Sequence, residues 1–440
     1  MSQPNILFIH TDQMHHLAIS AYGNTNVSTP NIDQLIEDGI SFRQSYSANP
    51  VCCPARASWY TGRMSVEHGV ISNKLPIDPN LPDLGQWLTQ HTDYDCVYSG
   101  KWHVTGRDVA KSFRVLYGRH PYGELQDSGS ARAASQYIAQ HASEDPTRPF
   151  FLSVGLLNPH DCCYVCGVNG PLGKYGMASE LPDLPDLPEN FDVDQLPANL
   201  QSRAGHWTRE DWQYYVYQCY RMVETADAQI GLIYDTLKST GQIDNTLVIF
   251  SADHGEGSAH HRRILKGFFE EESWAVPLVI SLPGTLDSGR ADASHLVSGV
   301  DLPATICDYA GAPPLPDATV ATSLRPLLEG QDETSWREYV VAENASAIAI
   351  RDERFKSILY DAGNRSLYDL IDDPFEKQNL ADESGYGEIK TKHAGYLAEY
   401  ASTVAPCTVP DETGILQTVC DERMPRLSKG QWSAEEEVAS

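Results

Sequence analysis

Four short apolar stretches each run into a cluster of residues that carry chemistry, and this pairing constrains the fold more than any other feature. Ile6–Ile9 leads into His10-Thr11-Asp12-Gln13, and Cys96–Tyr98 leads into Gly100-Lys101-Trp102-His103. Phe150–Leu157 is followed by Asn158-Pro159-His160-Asp161, and Leu247–Phe250 by Ala252-Asp253-His254-Gly255-Glu256. Runs of this length, rich in β-branched and aromatic residues, read as strands. Helix-like segments between them predict a largely parallel sheet covered on both faces. In open sheets of this kind ligands bind beyond the carboxyl ends of the strands. One polar turn after a strand means little. Four strand ends delivering Asp, His or Lys predict a single polar site.

Composition limits what that site can serve. The chain has 440 residues, 41% of them hydrophobic and 21% charged, enough to bury a full-sized core and too ordered in composition for a disordered chain. Its net charge of −28 repels phosphate backbones and anionic lipid, so neither nucleic acid nor a membrane surface is expected as a partner. No apolar run approaches the roughly 18 residues of a membrane-spanning helix. Met1-Ser2-Gln3-Pro4 runs straight into a strand-like segment. The expected location is the cytoplasm if Met1 is the native start, and the periplasm or exterior if a leader was removed. Ten cysteines are spread along the chain, including the pairs Cys52–Cys53 and Cys162–Cys163. Mostly reduced thiols are expected, with Cys407 and Cys420 the pair to bridge in an oxidising compartment. Cys163-x-x-Cys166 has no second pair at ligand spacing, so zinc is not expected.

Residues 1–330 read as a catalytic α/β domain and residues 331–440 as a small C-terminal α+β subdomain and tail. Within the first, the Pro-rich stretch from about 161 to 210 reads as a long loop over the sheet, and Trp212–Leu237 as a core-covering helix. Within the second, Tyr339–Ala342, Ala347–Ile350, Phe355–Tyr360 and Leu367–Leu370 read as short antiparallel strands. The tail after Thr408 is acidic and poorly patterned.

Cys52-Cys53-Pro54-Ala55-Arg56 opens a helix-like run that stops at Gly62. Pro54 suits the first helical position, which puts Cys52 at a helix N-terminus, where free N–H groups favour an anion. Arg56, one turn in, is placed to brace a negatively charged intermediate. Spacing alone leaves Cys52 as either a reactive or a buried thiol. The Cys-x-Pro-x-Arg motif followed by Thr61-Gly62-Arg63 resembles the signature of the type I sulfatases, of the alkaline-phosphatase-like superfamily. Asn5–Asp12, Ser28-Thr29-Pro30-Asn31-Ile32-Asp33, Gly100-Lys101-Trp102-His103, Asp253-His254-Gly255-Glu256 and Leu367-Tyr368-Asp369-Leu370 resemble further segments of the same family. The resemblance implies a large, mostly parallel sheet sandwiched by helices, with a small antiparallel C-terminal sheet.

It also implies chemistry. The family's first motif cysteine, here Cys52, is oxidised by a maturation enzyme to formylglycine (3-oxoalanine). Its hydrate attacks sulfur, and its second hydroxyl then expels sulfate, a step a serine could not perform. By resemblance Asp12, Gln13, Asp253, His254 and Cys52 surround the metal. Many relatives have Asp at the position of Gln13 and Asn at that of His254. Oxygen donors favour Ca²⁺, and the imidazole moves the balance toward Mn²⁺. Lys101 and Lys266 are expected to hold the sulfate, His160 to protonate the leaving alcohol, and His103 to help the intermediate break down. The basic cluster Ala259-His260-His261-Arg262-Arg263 stands out in so acidic a chain. His261, Arg262 and Arg263 are expected on the pocket rim, binding further anionic groups of the substrate, with His15 and His16 weaker candidates for the same wall. The implied activity is hydrolysis of a sulfate ester, with a sulfated small molecule or oligosaccharide as partner. The rival is a phosphonate monoester or phosphodiester hydrolase. A non-catalytic anion-binding relative and an ordinary thiol enzyme are the readings from other classes.

Overall fold

The structure, a computed structural model, describes residues 3–118, 121–165, 183–193, 206–331, 335–409, 411 and 413–430. Every side chain of β1 (Asn5–Asp12) is buried, and alternate residues serve opposite faces. Ile6 and Phe8 pack with Ala57, Trp59 and Tyr60 of the helix Cys52–Thr61. Leu7 and Ile9 pack with Ile32, Ala131 and Ile230 of the helices Pro30–Glu37, Gly123–Glu144 and Arg209–Ser239. A strand covered on both faces needs apolar residues at consecutive positions, and that is why these runs show no alternation.

The remaining strands of the large sheet are β2 (Ile40–Phe42), β4 (Asp95–Gly100), β5 (Arg114–Tyr117), β6 (Phe150–Pro159), β7 (Thr246–Ala252), β8 (Leu278–Ser281) and β9 (Arg290–Asp292). Two short strands, β3 (Ser45–Tyr46) and β10 (Val297–Ser298), pair separately. The large sheet has the order β5-β4-β6-β1-β7-β8-β2-β9, and β8 alone runs against the rest. The four runs picked out in the sequence are therefore β4, β6, β1 and β7, consecutive in the sheet and mutually parallel. Their carboxyl ends stand side by side. Close approach makes one glycine necessary there. Gly100 has φ 101°, and a Cβ on it would lie 2.1 Å from the carbonyl oxygen of Gly155.

The expected helix over Trp212–Leu237 spans Arg209–Ser239, started by Thr208, whose hydroxyl accepts from the Asp211 N–H at 3.1 Å. The helix predicted after Cys52 begins at Cys52 itself, so Pro54 is its third residue. The first turn still needs no N–H there, and the proline is tolerated. Of the Pro-rich stretch, residues 161–165, 183–193 and 206–210 are described. Phe191 is buried against Trp207 and Trp212. Residues 166–182 and 194–205 of that stretch, and with them Cys166 of the Cys163-x-x-Cys166 spacing, lie outside the described residues.

The C-terminal strands β11 (Val340–Glu343), β12 (Ala347–Arg351), β13 (Phe355–Tyr360) and β14 (Arg365–Asp369) form an antiparallel meander backed by the helix Gly387–Thr403. The segment after Thr408 departs from expectation. Ile415–Ser428 forms successive helical turns that bury Leu416, Val419, Met424 and Leu427 with Leu397 and Tyr400. Its middle turn, Val419–Arg423, is a π-helix. The inserted residue widens the spacing between Val419 and Met424 to five, hiding the helical period. Cys407 and Cys420 pack against the same cluster as free thiols rather than as a bridge.

Glu343 fastens this sheet to the helix Ser65–His68 by accepting from the Val66 N–H at 2.7 Å. Burial lifts its carboxyl from the usual range to about 7. An acid whose folded pKa is raised destabilises the fold as pH rises from its unfolded pKa through the folded one. Denaturant unfolding of the wild type should therefore show stability falling between pH 5 and pH 8. Glu343→Gln, which keeps the acceptor, should flatten that fall by roughly 3 kcal/mol. An identical slope in both proteins would contradict the assignment.

Candidate active site

Asp12 ends β1, and Asp253 follows the end of β7, its neighbour in the sheet. Two carboxylates are thus buried side by side, at 0% and 1% exposure. Arg56, fully buried in the helix behind them, ties both. Its Nη2 donates to Asp12 Oδ2 at 3.0 Å and its Nε to Asp253 Oδ2 at 2.9 Å. Its Nη1 donates to the Lys101 carbonyl at 2.9 Å. This corrects one expectation. Arg56 braces the carboxylates from behind, with Nε, Nη1 and Nη2 all engaged on protein groups; in this structure it is a positioning residue.

In front of the pair sits Cys52, at the first position of its helix. Its Sγ is 3.1 Å from His254 Nε2 and 3.5 Å from Asp12 Oδ1. His254 Nδ1 donates to the Gly255 carbonyl at 2.8 Å, so Nε2 is the nitrogen turned toward the carboxylates. Lys101, on the turn after β4, places Nζ 2.5 Å from Asp12 Oδ2. Lys266 Nζ donates to Gln13 Oε1. His160, after β6, stands at the rim with its side chain 23% exposed and Nε2 3.9 Å from Asp12 Oδ1.

The charges sort themselves by these neighbours. Burial opposes ionisation of Asp12, but Lys101, His160 and Arg56 hold its pKa well below the usual carboxylate range. Burial and the charge on Asp12 push Asp253 upward in spite of His254 and Arg56. Burial and Asp12 also oppose a thiolate at Cys52, yet Lys266, His254 and Lys101 pull it well below the usual thiol range. Burial works against charge on His160, and Asp12, Cys163 and Cys52 outweigh it, raising the imidazole to about 9. The site therefore favours an anion at residue 52 and a proton on His160.

Asp12, Cys52, Asp253 and His254 each offer a ligand atom, all within 4.8 Å of one another and all buried. The donor set fits a divalent cation. Two buried carboxylates share Arg56 on one side, and on the other their oxygens converge with Cys52 Sγ and the His254 imidazole, an arrangement of donors that suits a cation. Gln13 was expected among the ligands. Its backbone N–H donates to Asp253 Oδ1 at 2.9 Å, and its side chain links Lys266 to Glu256, to which Nε2 donates. His103, expected at the reacting centre, has φ 53° and lines a cleft of about 260 Å³ with Trp102, Val104 and Tyr117. Its Nδ1 is buried without a hydrogen-bond partner.

The basic cluster is the main correction. His261 and Arg263 are buried at 2% and 3% exposure, and they face internal carboxylates rather than the rim. His261 Nδ1 lies 2.8 Å from Glu272 Oε1, and Arg263 reaches both Glu270 oxygens at 2.8 and 3.2 Å. Arg262 is half exposed and paired with Asp192 at 2.7 Å. Residue spacing shows where a cation lies along the chain; which acid it meets depends on packing. His15 is buried and His16 half-buried, with rings stacked 5.0 Å apart, and both line a cleft of about 260 Å³ with His260 and Glu272.

Sequence reasoning quoted Glu256 and His10 without assigning them roles. Glu256 accepts from Gln13, Tyr215 and the Leu265 N–H. His10 sits 3.3 Å from Arg56 Nη1 and 3.2 Å from Ser153 Oγ. The available signal for His10 was a titratable residue closing an otherwise apolar run. Ser47, whose Oγ donates to the Asp253 carbonyl at 2.6 Å, left no pattern to find.

Carboxylates arranged for a cation, two ammonium groups and an imidazolium around a helix N-terminus define an enzyme that grips and cleaves an oxyanion ester. The comparisons agree. The chain matches the sulfatase family over residues 4–312. Over residues 259–402 it matches the family described as the C-terminal part of N-sulphoglucosamine sulphohydrolase. It is similar to the Delta 4,5-hexuronate-2-O-sulfatase of Bacteroides thetaiotaomicron, with 30% identity across 90% of this chain and 89% of that protein. A solved 2-O GAG sulfatase matches with TM-score 0.79 and 27% identity over 91% of this chain and 92% of that one. The phosphonate monoester hydrolase of Agrobacterium radiobacter matches with TM-score 0.75 and 26% identity, over 91% and 96%. This chain belongs to the sulfatase family, and it is a sulfuric ester hydrolase on the alkaline-phosphatase-like fold.

A cation held by Asp12, Asp253 and His254 would stabilise only the folded state. Thermal unfolding after chelation and re-addition of a divalent metal should show a rise in Tm that saturates, worth about 2.7 kcal/mol at a hundredfold excess over Kd. Asp253→Asn should blunt that response. An equal rise in the variant would remove Asp253 from the ligand set.

Proposed function

We propose that the enzyme removes sulfate from a sulfated carbohydrate, with Cys52 converted to formylglycine by a maturation enzyme. In this reading Ca²⁺, or Mn²⁺ as the alternative, is held by Asp12, Asp253 and His254. The observation that carries it is the position of residue 52. It heads a fully buried helix, faces the paired carboxylates, and has Lys266, His254 and Lys101 pulling toward an anion at its side chain. A divalent cation bound here would screen the substrate's charge and lower the pKa of an attacking hydroxyl, the hydroxyl that an aldehyde hydrate at residue 52 supplies.

The chain's own residues do the rest. Lys101 and Lys266 grip the non-bridging oxygens of the sulfate and orient it for attack. As the sulfur–oxygen bond breaks, the departing sugar oxygen takes the proton held by His160 at the rim. The resemblance assigns release of sulfate to His103, and that role requires its ring to turn from the cleft beside Trp102 toward residue 52. Arg56 keeps Asp12 and Asp253 apart and aimed. An oxygen-rich donor set supports Ca²⁺, and the His254 nitrogen is the reason Mn²⁺ stays in play. The carbohydrate is supported by the hexuronate and GAG sulfatases named above. The basic cluster no longer contributes to that argument, because its buried members are already paired.

Release of inorganic sulfate should be measured from a panel of sulfated mono- and oligosaccharides, including unsaturated hexuronate 2-O-sulfates, beside aryl sulfate, phosphodiester and phosphonate esters. Sulfated sugars should turn over best, and Lys266→Ala should lower kcat/KM by about 10²–10³. Turnover confined to the phosphorus esters would hand the site to the rival activity. Mass analysis of the peptide around residue 52 separates an aldehyde from an unmodified thiol.

A further inference from the structure

The loop that carries Lys266 is strained in a way no ordinary surface turn would be. Between Ser258 and Leu265, five non-glycine residues have positive φ: Ser258, Ala259, His261, Arg262 and Leu265. Side chains with a Cβ rarely adopt that conformation, and it persists only where surroundings over-determine it. Here they do. At the neck, the Gly257 N–H donates to the Leu265 carbonyl at 2.8 Å, and Glu256 Oε1 accepts from the N–H groups of both Ser258 and Leu265. At the tip, His261 is paired with Glu272 and Arg263 with Glu270, all four side chains buried. His260 stacks on His15 with ring centres 5.0 Å apart, and Asn190 accepts from the His261 N–H.

Both ends of the contact that matters are fastened to this loop. Lys266 is the residue after Leu265, and its Nζ donates to Gln13 Oε1. Gln13 Nε2 donates in turn to Glu256 Oε2, the same carboxylate that closes the neck. His15, two residues beyond Gln13, is the ring on which His260 rests. We infer that residues 257–265 form a strap whose buried ion pairs, His261–Glu272 and Arg263–Glu270, are positioning devices that hold the Lys266 ammonium in the sulfate site. This rests on the sulfatase reading of Lys266. It gives the chain's densest basic cluster a task unrelated to substrate charge.

Glu272→Gln keeps the shape of its partner and removes the charge that His261 faces; Arg263→Lys keeps charge and loses the two-pronged grip on Glu270. Each should lower kcat/KM by about 10- to 100-fold, since a displacement near 1 Å suffices for losses of that size. The loss should be equal on aryl sulfate and on a sulfated oligosaccharide. Glu272→Gln combined with Lys266→Ala should be no slower than Lys266→Ala alone, because both act through one ammonium. Crystal structures of the two strap variants should show Lys266 Nζ withdrawn from Gln13. Losses that multiply in the double variant, losses confined to anionic oligosaccharide, or an unmoved Lys266 would each overturn the inference. If the wild type cleaves no sulfate ester, the sulfatase reading fails by itself, while the position of Lys266 in the variant crystals still decides the strap. If Glu272→Gln does not fold, Arg263→Lys carries the same three readouts.

Discussion

Two carboxylates cannot be buried side by side without a cation, and the architecture around residue 52 follows from meeting that condition. Asp12 and Asp253 end neighbouring strands and are sealed from solvent. Arg56 answers them with two of its nitrogens at 2.9 and 3.0 Å and uses a third on the Lys101 carbonyl. Breaking such a pair leaves an unpaired charge in the interior, at a cost of about 3–5 kcal/mol. The helix Cys52–Thr61 must therefore pack against the sheet where Arg56 can reach both strand ends. Once it does, its first residue is delivered to the front of the same carboxylates. Structural need and catalytic placement are met by one helix.

The enzyme also shows how an acidic protein handles an anionic ester. A net charge of −28 sets an unfavourable distant field, and the positive groups that matter are few and short-ranged. Lys101, Lys266 and His160 surround residue 52 within a largely buried setting, where local charges outweigh remote ones. Other cations in the neighbourhood are spent on structure: His261 and Arg263 on the strap, and the fully buried Lys356 on Glu271 and Glu376. Near this site, a cation's sequence neighbourhood says little about its partner.

Much of the fold was legible because buried parallel strands leave an unmistakable trace. Ile6–Ile9, Cys96–Tyr98, Phe150–Leu157 and Leu247–Phe250 are continuous apolar runs because helices cover both faces, and they proved to be the four adjacent strands at the centre of the sheet. The C-terminal meander was equally readable from its short strands and polar turns. The helical turns over Ile415–Ser428 were not, because a π-turn between Val419 and Met424 breaks the 3.6-residue spacing on which such reading depends. Arg56 was found by motif without its partners: a motif names the residue, while the direction of its guanidinium follows from where the strand ends lie.

What the sequence determined alone is the inventory: the strands, the helix that starts at Cys52, and the Asp, His and Lys residues stationed at strand ends. These are local properties, written in the periodicity of apolar residues and in the residues that stop them. Only the tertiary structure decided which of those groups meet. Glu272 lies eleven residues beyond His261, Gln13 lies hundreds of residues before Lys266, and nothing in either neighbourhood records the other. Partnership between charges is a through-space property that depends on the order of strands in a sheet and on the path of a strained loop, and hydrophobic periodicity carries no information about either.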